Sequence, residues 1–99
     1  MTRIVRVLRR AQRDLQQVHD FIAREAPSAA DPFIDQLLDA IESLSTMAER
    51  GANPRDETLQ RQGHRFLVHG NFLVFYKVMR QHVRVYRVLR GNRAYRSLL

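Results

Sequence analysis

The chain has 99 residues, the length of one domain with one modest core. Hydrophobic residues make up 44% and charged residues 27%, which excludes disorder, and no apolar run nears the ~18 residues of a membrane span. Cys is absent, which excludes disulfides, thiolate metal sites and a Cys nucleophile, and the net charge is +7.

That charge is unevenly spread. Residues 1–57 hold eight Arg against all ten acids, whereas residues 58–99 hold eight Arg and Lys77 with no acid. Sixteen Arg to one Lys reflects an Arg-rich composition, but composition does not explain 42 consecutive residues without an acid. The asymmetry points to a polyanionic or acidic partner for the C-terminal half, with nucleic acid among the candidates. The opening Met1-Thr2-Arg3-Ile4-Val5-Arg6 lacks the apolar core of a signal peptide, so the expected location is the cytoplasm.

In chain order, Arg3 to Leu8 is short and rich in β-branched residues, which predicts a strand. From Arg10 the period changes. Ala11, Leu15, Val18 and Ile22 predict an amphipathic helix over residues 10–25, stopped by Pro27. A second helix starts within four residues, capped either by Ser28, with Asp31 reaching back, or by Asp31 ahead of Pro32. Its stripe is Phe33, Leu37, Ile41, Leu44 and Ala48, and Gly51 is its expected end. So short a connection predicts an antiparallel helical hairpin.

Residues 51–63 are polar, contain Asn53-Pro54 and predict a loop. Three strands follow: Arg65 to His69, Phe72 to Met79, and Val83 to Leu89. Gly70-Asn71 makes the first turn, with Gly at the position needing positive φ. Phe72 to Met79, apolar on both faces, is expected to be the longest strand and the sheet's centre. The order β-α-α-β-β-β over residues 1–99 predicts a single α+β domain of two layers. Its helical hairpin should pack on one face of a small, mainly antiparallel sheet, leaving the other face to solvent or a partner.

This ordered set resembles the RelE/ParE superfamily of toxins from bacterial toxin–antitoxin operons. The resemblance is carried by Ala11-x-x-Asp14-Leu15 with Phe21-Ile22, by Pro27-x-Ala29-Ala30-x-x-Phe33, and by Leu37-x-x-x-Ile41-x-x-Leu44. It continues through Phe72-Leu73-Val74-Phe75-Tyr76-Lys77-Val78 and closes on Arg87-Val88-Leu89-Arg90-Gly91-x-Arg93, which looks most like the ParE branch. The resemblance implies a toxin neutralised by a small antitoxin encoded beside it. ParE-type members are described as poisons of DNA gyrase, and RelE-type members as ribosome-dependent mRNA endonucleases. Some relatives have neither activity established, which keeps a non-toxic interaction module open as well.

Metal-free RNA cleavage needs a base, an acid and cations for the phosphorane charge. His64, His69, His82 and Tyr95 are the candidate acids and bases; His69 beside Gly70 and His82 beside a turn also read as exposed hairpin-end residues, and Tyr95 as a tail residue out of register. Tyr76 alternates with Phe72 and Val74 and reads as core, and His19 as a helix flank. No two His sit at metal-ligand spacing, and neither metal nor cofactor is expected. The resemblance implies that active nucleases carry a basic residue where this chain has Leu73, and a Tyr or His where it has Leu98-Leu99. Arg93 alone matches. The residues therefore favour a ParE-like toxin that acts by binding. Its expected target-binding residues are Arg65, Arg84, Arg87, Arg90, Arg93 and Arg96. Arg87 shares strand parity with Val83, Val85 and Leu89, so a buried, paired role stands beside the exposed one. The hairpin acids Asp14, Asp20, Asp35, Asp39 and Glu42 are expected on its solvated outer face, with antitoxin contact as the second reading.

Overall fold

Apolar period decides the two long helices, and β-branched runs decide the sheet. The computed structural model describes residues 2–91. The elements are β1 (Ile4–Val7), α1 (Arg9–Glu25), α2 (Pro27–Glu42), a 3₁₀ turn (Ser43–Ser45), α3 (Glu57–Arg61), β2 (His64–His69), β3 (Phe72–Val78) and β4 (His82–Arg90). The sheet order is β1-β4-β3-β2, with β1 parallel to β4 and the other two pairings antiparallel. The helical hairpin packs on one face, giving the expected α+β order.

The core brings Ala11 and Val18 of α1 and Leu37 and Ile41 of α2, together with Leu44, onto Phe72, Val74, Tyr76, Val83, Val85 and Val88. Leu15, Ile22 and Phe33 pack on its rim. Gly70 turns β2 into β3 at φ +59°, the left-handed value its position demands. β3 is an inner strand, but so is β4, and β4 is longer, at nine residues to seven.

Neither expected cap opens α2. Pro27 takes the first helical position, where its missing N–H costs nothing, and Ala26 precedes it with no side-chain cap. Asp31 is engaged elsewhere: its Oδ1 lies 2.8 Å from His19 Nε2 and ties α2 to α1. Pro32 falls inside the helix.

The far end also differs from expectation. The α-helix stops at Glu42, nine residues before Gly51, and tightens into the 3₁₀ turn. Ser43-Leu44-Ser45-Thr46 is a poor helical run because its hydroxyls compete for backbone groups. Ser43 Oγ donates to the Ala40 carbonyl at 2.6 Å, and the Arg3 N–H takes the Ser45 carbonyl at 2.7 Å. Leu44 and Ala48 are still buried, so the stripe survives although the helix does not.

Residues 51–63 are not a plain loop. Asp56 caps the short α3 by accepting from the Leu59 N–H at 3.1 Å, and Leu59 and Pro54 are buried. Ala52 bridges to Phe66. A single large apolar side chain, Leu59, in a polar stretch carries no period, so its burial is a tertiary result.

The His19–Asp31 clip yields a pH prediction. Its hydrogen bond to Asp31, reinforced by Asp20, raises the His19 pKa. A raised folded pKa contributes stability that is present in full below the unfolded value of about 6.5 and lost as pH rises through the folded pKa. Between pH 5.5 and 8.5, wild type should therefore lose more of its urea midpoint than His19→Gln. Equal losses would remove the clip from the account.

Candidate functional site

The end of β4 is built around a bulge. Phe75 pairs with Arg87 and Tyr76 with Val85, so Tyr86 is an extra residue without an opposite partner. The bulge shifts the strand's alternation by one, and Val88 rather than Leu89 joins Val83 and Val85 in the core cluster. Arg87 keeps the side of Val83 and Val85 and faces α1. Arg87 Nε donates to Asp14 Oδ2 at 2.7 Å and Nη2 to Asp14 Oδ1 at 3.1 Å, a two-pronged pair with Arg87 8% and Asp14 3% exposed. The Val88 N–H donates to Asp14 Oδ2 at 3.0 Å. Asp14 is thus no solvated helix acid; it satisfies a guanidinium and a backbone amide at the bulge. Arg87 is held within the fold, as its buried alternative anticipated.

Beside this pair lies a cleft of about 170 Å³ lined by Arg10, Asp14, Gln17, Phe21, Phe72 and Arg90, among others. Arg10 stands on its rim, 3.9 Å from Asp14. Arg90 is exposed, with its guanidinium 4.5 Å from the centre of the Phe21 ring. The ring holds the cation in place without neutralising it.

The other expected residues are dispersed. Arg65 is half-buried, and its Nη1 donates to the Gly51 carbonyl at 3.1 Å, which fastens the segment before α3. Arg84 lies on the sheet face away from the helices, where its Nε donates to His82 Nε2 at 3.0 Å. Arg93, Tyr95 and Arg96 lie outside the described residues.

The histidines divide between the two faces. His69 packs its ring on Phe33 of α2, at 5.2 Å between centres. His64 packs edge-on to Tyr86, at 5.5 Å, on the opposite face. Burial, with Lys77 adding to it, lowers the His64 pKa; desolvation, then Arg84 and Arg6, lowers that of His82. Tyr76 is core, as its alternation predicted. Its hydroxyl donates to the Ala48 carbonyl at 2.8 Å and accepts the Gly51 N–H at 2.9 Å. Among the described residues, no three His, Asp or Glu side chains gather to hold a metal ion. No helix among them is long and apolar enough to cross a membrane.

The site is therefore an exposed cation beside a cleft on a scaffold pinned by an internal ion pair. A search of the curated proteins finds no match. Among solved structures, the chain is similar to the chromosomal ParDE toxin–antitoxin system from P. aeruginosa. That likeness has a TM-score of 0.75 at 21% identity, covers 90% of this chain and 96% of the other, and supports the fold. The sequence itself matches the family described as the ParE toxin of the type II toxin–antitoxin system parDE over residues 5–95. With nearly the whole chain matched, from β1 through the end of β4, this protein belongs to the ParE toxin family.

Proposed function

We propose that the protein is a single-domain cytoplasmic toxin that acts by binding: it poisons DNA gyrase, and a cognate antitoxin neutralises it. Its basic C-terminal half makes the contact with target and nucleic acid. The observation that carries the reading is Arg90, exposed at the end of β4 and backed by Phe21 beside the cleft. A cation so placed reaches a carboxylate or phosphate with little reorganisation. The separation of His64 and His69 on opposite sheet faces also favours binding over acid–base chemistry. For the antitoxin, Phe21, Ile22, Pro32, Phe33 and Phe72 line an apolar groove that would take an amphipathic segment.

The test is purified gyrase with plasmid DNA and ATP, scoring linear cleaved product. Wild type should raise it. Arg90→Ala with Arg93→Ala should weaken the effect by roughly thirty-fold, the worth of an anchoring Arg at an interface. Changing an exposed Arg typically shifts stability by no more than about 0.5 kcal/mol, so the thermal midpoint should hold. Undiminished cleavage by the double variant would reject the site, and no cleavage with wild type would reject gyrase as target.

A further inference from the structure

All ten acids of the chain fall between residues 14 and 57, so the four strands carry none. The register aligns their cations. Arg6 on β1 pairs with Arg84 on β4, Arg84 with Lys77 on β3, and Lys77 with His64 on β2. These four side chains form one row across the whole sheet, on the face away from the helical hairpin. Neighbouring strands lie about 4.8 Å apart, so the row is roughly 14 Å long.

Like charges directly opposite one another destabilise a sheet. No ion pair with an acid relieves Arg6, Lys77 or Arg84 among the described residues. Two neighbours orient the cations instead. Lys77 Nζ stands 5.3 Å from the centre of the Tyr86 ring, and Arg84 donates to His82. His64 ends the row with a buried Nδ1 that has no hydrogen-bond partner. Three adjacent cations with no acid beside them, Arg6, Arg84 and Lys77, suit a ligand that carries several negative charges in a line, as a phosphodiester backbone does.

We infer that the cations of this cross-strand row, Arg6, Arg84 and Lys77, flanked on β2 by the buried His64, are a binding track for the phosphodiester backbone of nucleic acid. The inference rests on the nucleic-acid contact proposed above and locates it. It includes Arg6, which the charge count of the C-terminal half leaves out.

The test is fluorescence anisotropy of the purified protein with a labelled DNA duplex, the same single-stranded DNA and a single-stranded RNA, from 50 to 200 mM salt. No gyrase is present, so the result is independent of the gyrase reading. The triple variant Arg6→Gln, Lys77→Gln, Arg84→Gln should lose about tenfold or more in affinity, with its salt slope on duplex flatter by about 2 to 3. The charge-matched control Arg9→Gln, Arg13→Gln, Arg24→Gln removes three exposed cations of α1 and should stay within about threefold of wild type. The triple variant should melt at or above wild type, because it relieves cross-strand repulsion. The relative losses on the three probes identify duplex, single-stranded DNA or RNA as the ligand. Three outcomes would overturn the inference: equal losses in both variants, a lowered melting point in the row variant, or polyglutamate bound as tightly as nucleic acid with the same sensitivity to the row.

Discussion

Asp14→Ala is expected to destabilise the protein by about 3–5 kcal/mol, the cost of removing the carboxylate from a buried ion pair. The substitution leaves the Arg87 guanidinium, 8% exposed, without the carboxylate that takes two of its N–H groups. It also removes the acceptor of the Val88 N–H at the bulge. A domain of this size has about 5–15 kcal/mol in all. The midpoint should therefore fall by roughly 12–40 °C, read by circular dichroism. The charge is the cause, not the volume, so removing both charges should restore much of the loss. Asp14→Leu with Arg87→Met should melt well above Asp14→Ala, since apolar replacement of a buried pair is often neutral or stabilising. If Asp14→Ala melts within a few degrees of wild type, the pair does not organise the end of β4.

The second large effect concerns Gly51. A Cβ there would lie 2.7 Å from the Phe66 carbonyl oxygen, 2.9 Å from Tyr76 Cε1, and closer still to the Tyr76 hydroxyl. The Tyr76 ring is fully buried and its hydroxyl is committed to Ala48 and Gly51, so it has nowhere to retreat. Gly51→Ala should cost roughly 2–4 kcal/mol, from overpacking plus the strained or broken pair of hydrogen bonds. Tyr76→Phe alone should cost about 1–3 kcal/mol, because the Gly51 N–H and Ala48 carbonyl lose their partner. Together the two changes should cost less than their sum, since removing the hydroxyl removes the closest contact. Full additivity in urea titrations would show that the glycine is not required by Tyr76. Gly51 thus serves a close approach of chain to ring, where the sequence suggested a helix cap.

Features that depend on near neighbours in the chain were legible in the order of residues. Spacings of three and four fixed α1 and the face of α2, the apolar run from Phe72 to Met79 marked β3, and Gly70-Asn71 located the hairpin turn. The absence of acids after Glu57 was visible at once, and with it the basic character of the sheet. Tertiary structure decided whatever depends on partners far along the chain. Asp14 and Arg87 are 73 residues apart, and a helix acid among polar neighbours looks solvated until packing brings an arginine of β4 against it. The bulge at Tyr86 likewise puts Val88 rather than Leu89 in the core. A period-2 count cannot detect a bulge, because one extra residue leaves each flanking run regular while exchanging their faces. The Arg6–Arg84–Lys77–His64 row has the same origin: it exists only once register aligns four strands, and β1 comes from the N-terminal half. The burial of Leu59 was also set by long-range contacts, through the docking of residues 51–63 beside β2, whereas the end of α2 at Glu42 combines the local Ser/Thr run with the bond from Arg3 to Ser45. Local periodicity reports which face of an element is apolar; what that face meets is decided by the packed whole.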